Sequence, residues 1–362
     1  MRLEYFLWMI YLIVFPFYYF SQGNPQFSDF FAVFLFILSF NIILTQINKE
    51  NYINVLFVFV IYTFFINSIW FMITGELNNM RFPLYYIYSF MFILFLNAKK
   101  HDYKFWNTTY NSLSVLIIIQ MLIYLFYFVG ISIRTKLFFN NPNQLALWAI
   151  CLLILFYIMS KILNKSFRET TFYMFLISVL IMISNSMAGI GAMVLFWLFY
   201  FINNKVSVFK YVILLFMVLF FCYSYTDFVF RDIYLIENIY TRIETDNQND
   251  NTFSGRGLDR IFNDYRYLIF GAGEGRSKDF NSIYKGEIHS TLPAILFSYG
   301  FIGFLIYIYS IYIILKSKNK EAIGLFLVLF VFSFAHMNLR IPLFWVSLFT
   351  IYLLSKYNLG KT

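Results

Sequence analysis

Residues 52–74 read YINVLFVFVIYTFFINSIWFMIT, an apolar and aromatic run without one charged side chain. A helix crosses a bilayer with roughly 20 mostly apolar residues, so this stretch is long enough by itself. It is one of twelve such segments: 3–20, 27–47, 52–74, 82–97, 112–133, 144–160, 171–186, 188–203, 206–225, 291–315, 321–336 and 341–356. Across the 362 residues, 61% are apolar and 12% charged, against roughly 45–50% apolar in soluble domains. A water-soluble fold cannot bury that much apolar surface, and the composition also excludes a disordered chain. The expected fold is an all-α polytopic membrane protein of about 12 transmembrane helices, because backbone in hydrocarbon must satisfy its own hydrogen bonds. The run Ser184-Asn185-Ser186-Met187-Ala188-Gly189 supplies the polar and small residues that divide 171–203 into two spans. The first segment lacks a small-residue cleavage site and reads as a retained anchor.

Basic residues set the orientation, since inner loops carry the Lys/Arg excess. With the N-terminus inside, inner segments collect 15 basic residues, whereas the short outer loops hold four: Arg81, Arg134, Lys136 and Arg340. The chain then divides into spans one to nine (1–226), one large outer loop (227–290) and spans ten to twelve with an inner C-terminus (291–362). The net charge of +9 is a topology signal, and no basic helix or zinc spacing points to nucleic acid. Cys151 and Cys222 fall within spans, so no disulfide staples the loop. No loop carries an Asp-x-Asp pair or a His/Cys cluster, so neither metal nor cofactor is expected.

The two cations are segregated. Nine of 11 arginines lie outside and 13 of 16 lysines inside. Guanidinium is planar and bidentate toward phosphate, so arginine on the outer face suggests a phosphate-bearing ligand there. The alternative is salt bridges to the 11 acids of the loop. Charges sit at the ends of spans rather than within them, which argues against an ion-coupled carrier and for a site at the outer surface.

Within the loop, Val229, Ile233, Ile236, Tyr240 and Ile243 form one apolar stripe, the pattern of a helix lying on the membrane. The polar run 246–251 reads as a connector. A second short amphipathic helix is expected from Ser254, with Leu258, Ile261, Phe262, Tyr265 and Ile269 on one side and Arg256, Arg260 and Asp264 on the other. Two arginines one turn apart suit a pyrophosphate; on a purely solvated face, Arg260 would instead pair with Asp264. Gly271-Ala272-Gly273-Glu274-Gly275-Arg276 reads as a flexible turn, with a backbone anion cradle as the second reading. It follows no strand, so it is not a dinucleotide fingerprint. His289 precedes Ser290, Thr291 and Pro293, which read as a helix start. A ring beside a helix N-terminus tends to stay neutral and able to accept a proton. His336 falls at the outer end of span eleven near Arg340, and His101 lies inside among lysines.

Four motifs follow in order. Asn140-Asn141-Pro142-Asn143-Gln144-Leu145-Ala146 opens span six, with Arg134 shortly before it. Ser186-Met187-Ala188-Gly189 lies between spans seven and eight. Ser254-Gly255-Arg256 is followed by aromatic residues and Gly271-Ala272-Gly273. His289-Ser290-Thr291-Leu292 leads into a helix with Gly300 and Gly303. Taken together the set resembles the bacterial O-antigen polymerase (Wzy) and O-antigen ligase superfamily. Two positions depart from that pattern: Met187 where the family often has Arg, and Ser290 where it often has Asn.

The resemblance implies a metal-independent glycosyltransferase of the inner membrane, acting on its periplasmic face on an undecaprenyl-pyrophosphate-linked oligosaccharide. Membrane lipid and a chain-length regulator protein are the other implied partners. It points to His289 as the catalytic residue and to Arg256, then Arg134, on the pyrophosphate or glycan. Arg260, Arg276, Arg81, Arg340, His336 and Asn143 complete the candidate substrate-binding set. Polymerase and ligase share these motifs. Abundant Phe, Tyr and Asn beside scarce Ala, Gly and Pro indicate AT-rich coding, which favours the polymerase of a variable surface-polysaccharide cluster. A lipid-glycan flippase or transporter is the rival from another class.

Overall fold

The computed structural model describes residues 2–20, 25–128, 134–203, 253–276, 279–280 and 286–356. The expectations for 206–225, 228–244, 246–251 and Cys222 lie outside the described residues. Among the described residues, all regular structure is helical. The helices are α1 (Leu3–Val14), α2 (Phe27–Leu38), α3 (Phe40–Leu44), α4 (Asn51–Thr74), α5 (Asn78–Lys99), α6 (Tyr103–Ile123), α7 (Pro142–Ile162), α8 (Phe167–Ser184), α9 (Met187–Asn203), the single turn α10 (Arg260–Asn263), α11 (Thr291–Lys316), α12 (Lys320–Ala335) and α13 (Pro342–Lys356).

Helices α4, α5, α6, α7, α8 and α11 are long and apolar enough to cross a membrane, and α1, α2, α9 and α13 are shorter apolar helices. Each sequence-predicted segment within the described residues coincides with helix, but the ends differ where local chemistry intervenes. The apolar run 3–20 is helical only to Val14. The run 27–47 breaks at Ser39 into α2 and α3. Helix α6 passes into one π-helical turn at Tyr124–Phe128. The division inside 171–203 falls where the polar residues predict it: Asn185 ends α8 in the left-handed conformation (φ 47°) and α9 starts at Met187.

Helices α7 and α13 form the centre. Residues 145–160 of α7 and 342–354 of α13 are buried without interruption, as expected of helices that are apolar all round. The other helices pack around them, each presenting one face outward, with Phe34, Phe65, Phe126, Phe175 and Phe334 exposed. In a bilayer that outer belt faces lipid.

The two ends of the bundle are chemically distinct. At one end lysines pair with acids: Lys100 and Lys356 with Glu50, Lys99 with Glu4, and Lys161 with Glu321. Tyr5 donates to Asp102 at the same end. At the other end stand Arg81, Arg134, Arg256, Arg260, Arg276 and Arg340, near the C-terminus of α4 and the N-termini of α5, α7, α11 and α13. We call these the lysine end and the arginine end.

The arginine end carries residues 253–276 and 286–290. The helix expected from Ser254 does not form. Gly257 takes φ +69°, a left-handed conformation that no α-helix continues through, and only Arg260–Asn263 and a 3₁₀ turn at Tyr265–Tyr267 are helical. The amphipathic expectation holds only in part: Leu258 and Ile261 pack against a small core with Ala272, Phe280 and Phe297, whereas Arg260 is buried and Phe262, Tyr265 and Ile269 are exposed. Helix α11 is interrupted at Gly300 (φ 65°, ψ −173°). A Cβ there would lie 2.3 Å from the Ile269 carbonyl oxygen, and one on Gly271 would lie 2.3 Å from that of Ser298. Glycine at both positions lets the 268–273 backbone lie directly against the break in α11.

Candidate functional site

At the arginine end two groups of residues are built side by side. The first centres on Glu274. Its carboxylate is buried and accepts from the hydroxyls of Tyr86 in α5 and Tyr299 in α11, both at 2.7 Å on Oε2. Arg340, just before α13, donates from Nε to Glu274 Oε1 at 2.7 Å and from Nη1 to Glu287 Oε2 at 2.6 Å. Asn67 of α4 accepts from the Glu274 backbone N–H at 3.2 Å and donates to the Asn79 carbonyl at 2.6 Å. The two carboxylates hold the Arg340 guanidinium above its ordinary, already high, pKa. The glycine run is therefore neither a mobile turn nor an open anion cradle: the Gly271, Ala272 and Gly273 N–H groups donate to the carbonyls of Tyr267, Phe297 and Ser298.

The second group carries the candidate chemistry. Arg134 donates from Nη2 to Asn143 Oδ1 at 3.1 Å. Asn143 sits in the first turn of α7, whose N-terminus is built by its own motif. Pro142 occupies the first turn, Asn141 Oδ1 caps Gln144 N at 2.9 Å, and Gln144 Oε1 accepts from Asn140 N at 3.1 Å. The His289 N–H donates to the Arg256 carbonyl at 3.2 Å. His336 follows the last residue of α12, stacks on Phe332 with ring centroids 4.9 Å apart, and is tied to α11 by the Thr291 hydroxyl, which donates to its carbonyl at 2.9 Å.

Electrostatics joins these residues. Burial first, then the electrostatic influence of His289, Arg256 and Arg134, lowers the His336 pKa to about 4. His336 is thus uncharged at neutral pH, a hydrogen-bonding ring rather than a third cation. The Arg256 and Arg134 guanidinium groups near it favour an anion there.

The remaining arginines of the candidate set are engaged with the protein. Arg260 donates from Nη2 to the Gly286 carbonyl at 2.6 Å. Arg276 lies over the Trp70 ring at 3.8 Å, pairs with Asp279 at 2.8 Å and donates to the Ala272 carbonyl at 3.1 Å. Arg81, in the first turn of α5, donates to the Tyr85 hydroxyl at 2.7 Å. The small residues of the second motif serve packing: a Cβ on Gly189 would meet Ala146 Cβ of α7 at 3.0 Å. The sequence places Glu274 only as one residue of the glycine run and gives its tyrosine partners no role. One acid between Gly273 and Gly275 was the available signal, and only the fold brings Tyr86 and Tyr299 to it.

No family model matches the chain, and no curated protein matches it in sequence.

Proposed function

We propose that the chain is a membrane glycosyltransferase that joins lipid-linked oligosaccharide repeat units, an O-antigen polymerase using an undecaprenyl-pyrophosphate-linked donor. The observation that carries this reading is the convergence of Arg134, Arg256 and His289 on His336. With His336 they come from four separate parts of the chain and bring positive charge together at the arginine end. An anionic ligand explains it best, and the order of the four motifs supplies its class.

In this reading Arg256 and Arg134 hold the pyrophosphate and stabilise it as it leaves, in the manner of preorganised donors aimed at developing charge. Asn143 orients Arg134. The bond between the donor's anomeric carbon and the phosphate oxygen breaks, and a bond to an acceptor sugar hydroxyl forms. His289 takes the proton of that hydroxyl, and the pyrophosphate leaves as an anion on the carrier lipid. The arginine end then faces the periplasm and the lysine end the cytoplasm, following the distribution of lysines.

Deletion of the gene tests the reading. Surface polysaccharide run on a gel should carry a single repeat unit on the lipid core. Bare core with polymerised lipid-linked glycan on the outer face would make the protein a ligase, and bare core with single lipid-linked repeats trapped on the inner face would make it a flippase.

A further inference from the structure

The chain between Leu268 and Gly273 leaves the arginine end and dips into the bundle. Its partners give the depth. The Phe270 carbonyl accepts from the Tyr62 hydroxyl at 3.1 Å, and Tyr62 is halfway along α4. The Gly271 carbonyl accepts from Trp70 Nε1 at 3.1 Å, one turn short of the α4 C-terminus. The Leu268 carbonyl accepts from the Phe301 N–H at 2.6 Å, ten residues beyond the start of α11. At about 1.5 Å per residue, Trp70 lies about 6 Å below the end of α4, and the deepest backbone contact, at the Phe301 N–H, lies about 15 Å below the start of α11. That is about half of a hydrocarbon core roughly 30 Å thick.

Non-helical backbone at such depth must find its hydrogen bonds within the protein. Here it does. The carbonyls of Leu268, Phe270 and Gly271 are taken by Phe301, Tyr62 and Trp70, and the N–H groups of Gly271, Ala272 and Gly273 go to Tyr267, Phe297 and Ser298. The side chains do the opposite. Phe262, Tyr265, Ile269 and Phe270 are 61–73% exposed. The outward faces of the flanking helices continue the same apolar surface, with Ile61 and Phe65 on α4 and Phe301 and Leu305 on α11. A backbone bonded into the bundle beneath the outward Ile269 and Phe270 side chains, continuous with the apolar faces of two spanning helices, suits immersion in lipid.

We propose that residues 268–271 form the base of a re-entrant segment, that the partner of the exposed Ile269 and Phe270 side chains is the hydrocarbon of the leaflet at the arginine end, and that the exposed Arg266, paired with Asp264, stays above them at the level of the headgroups. This goes beyond the reading of 227–290 as an aqueous loop and is independent of the chemistry at His289. The test uses full-length protein with Cys151 and Cys222 replaced by alanine and a bimane label on Phe270→Cys, in phosphatidylglycerol–phosphatidylethanolamine vesicles. Ile269→Cys repeats the measurement should Phe270→Cys not fold. Brominated acyl chains should quench the label at least twofold more than aqueous iodide, as at Phe301→Cys on α11. Lys318→Cys, at the lysine end, should show the reverse. Iodide quenching as strong as at Lys318→Cys would overturn the proposal. Protection from both quenchers would overturn it too, by showing a protein cover, and a disulfide-linked dimer through position 270 would identify that cover as a second copy.

Discussion

Arg340 and Glu274 meet at 2.7 Å beneath the arginine end, and this pair joins three separate stretches of chain. Glu274 belongs to the glycine turn, Arg340 to the α12–α13 connection four residues after His336, and the second partner of Arg340, Glu287, stands two residues before His289. The pair therefore sets the spacing of the two histidines without belonging to the proposed chemistry. It also explains why an arginine on the outer face is not by itself a ligand-binding arginine.

Removing one partner of a buried ion pair typically costs about 3–5 kcal/mol, because the other charge stays buried and uncompensated. Glu274→Ala also strands the hydroxyls of Tyr86 and Tyr299. It should lower stability by that amount, read as a shift in denaturant or thermal unfolding in detergent. Glu287 is partly exposed, so Glu287→Ala should cost under about 1 kcal/mol. Equal effects of the two would remove Glu274 from its place as the organising residue.

Gly300→Ala should be among the most damaging single-methyl changes in the chain. The position combines φ +65° with a Cβ 2.3 Å from the Ile269 carbonyl oxygen. Backbone strain of this kind costs about 1–3 kcal/mol before the clash is added, and the 268–273 segment would be pushed from its seat. Gly191→Ala, where nothing lies within 4 Å, is the control and should be neutral or slightly stabilising in a helix. Unfolding curves of the two variants check this.

His336 gives a pH signature. Its folded pKa of about 4 lies below the ordinary 6.5, so between those values the unfolded chain binds the extra proton. Stability is unaffected above pH 6.5 and falls as pH drops from 6.5 toward 4, by up to about 3 kcal/mol from this ring. His336→Phe should flatten that part of the stability–pH curve. Binding of pyrophosphate should raise the His336 pKa, since the anion offsets the positive charges that depress it. Ring-proton NMR titration with and without pyrophosphate reads the direction, and a fall or no change would count against an anion site here.

The helical class and the segregation of lysine from arginine were legible in the sequence because both follow from composition and spacing. The start of α7 was legible for the same reason, since Asn141, Pro142 and Gln144 are local capping chemistry. The 254–269 segment was not. Its apolar stripe has helical spacing, yet Gly257 interrupts the backbone, and the exposed Phe262 and Tyr265 belong to a face that the pattern assigns to a core. Glu274 was invisible because its meaning lies in Tyr86, Tyr299 and Arg340, three residues that only packing brings together. Of the outer arginines, sequence could name the set but not sort it: Arg260 and Arg276 answer to backbone carbonyls and Arg340 to two acids, partners set by tertiary structure.

Arg256→Lys should fail to restore long chains in a deletion strain although the charge survives. Bidentate geometry toward a pyrophosphate is lost with the guanidinium, and one charge-assisted contact of about 1.5–3 kcal/mol corresponds to roughly tenfold or more in rate. Chain-length ladders at matched protein levels check it, and normal ladders would make Arg256 a structural residue.

The central claim is that His289 takes a proton in the transfer step. The direct measurement is the polymerisation rate of purified His289→Ala with synthetic lipid-linked repeat units, beside His101→Ala as a control away from the site. The account predicts a loss of roughly 10²–10⁴-fold for His289→Ala, accumulation of single repeats, and a wild-type rate for His101→Ala. A near wild-type rate for folded His289→Ala would contradict it.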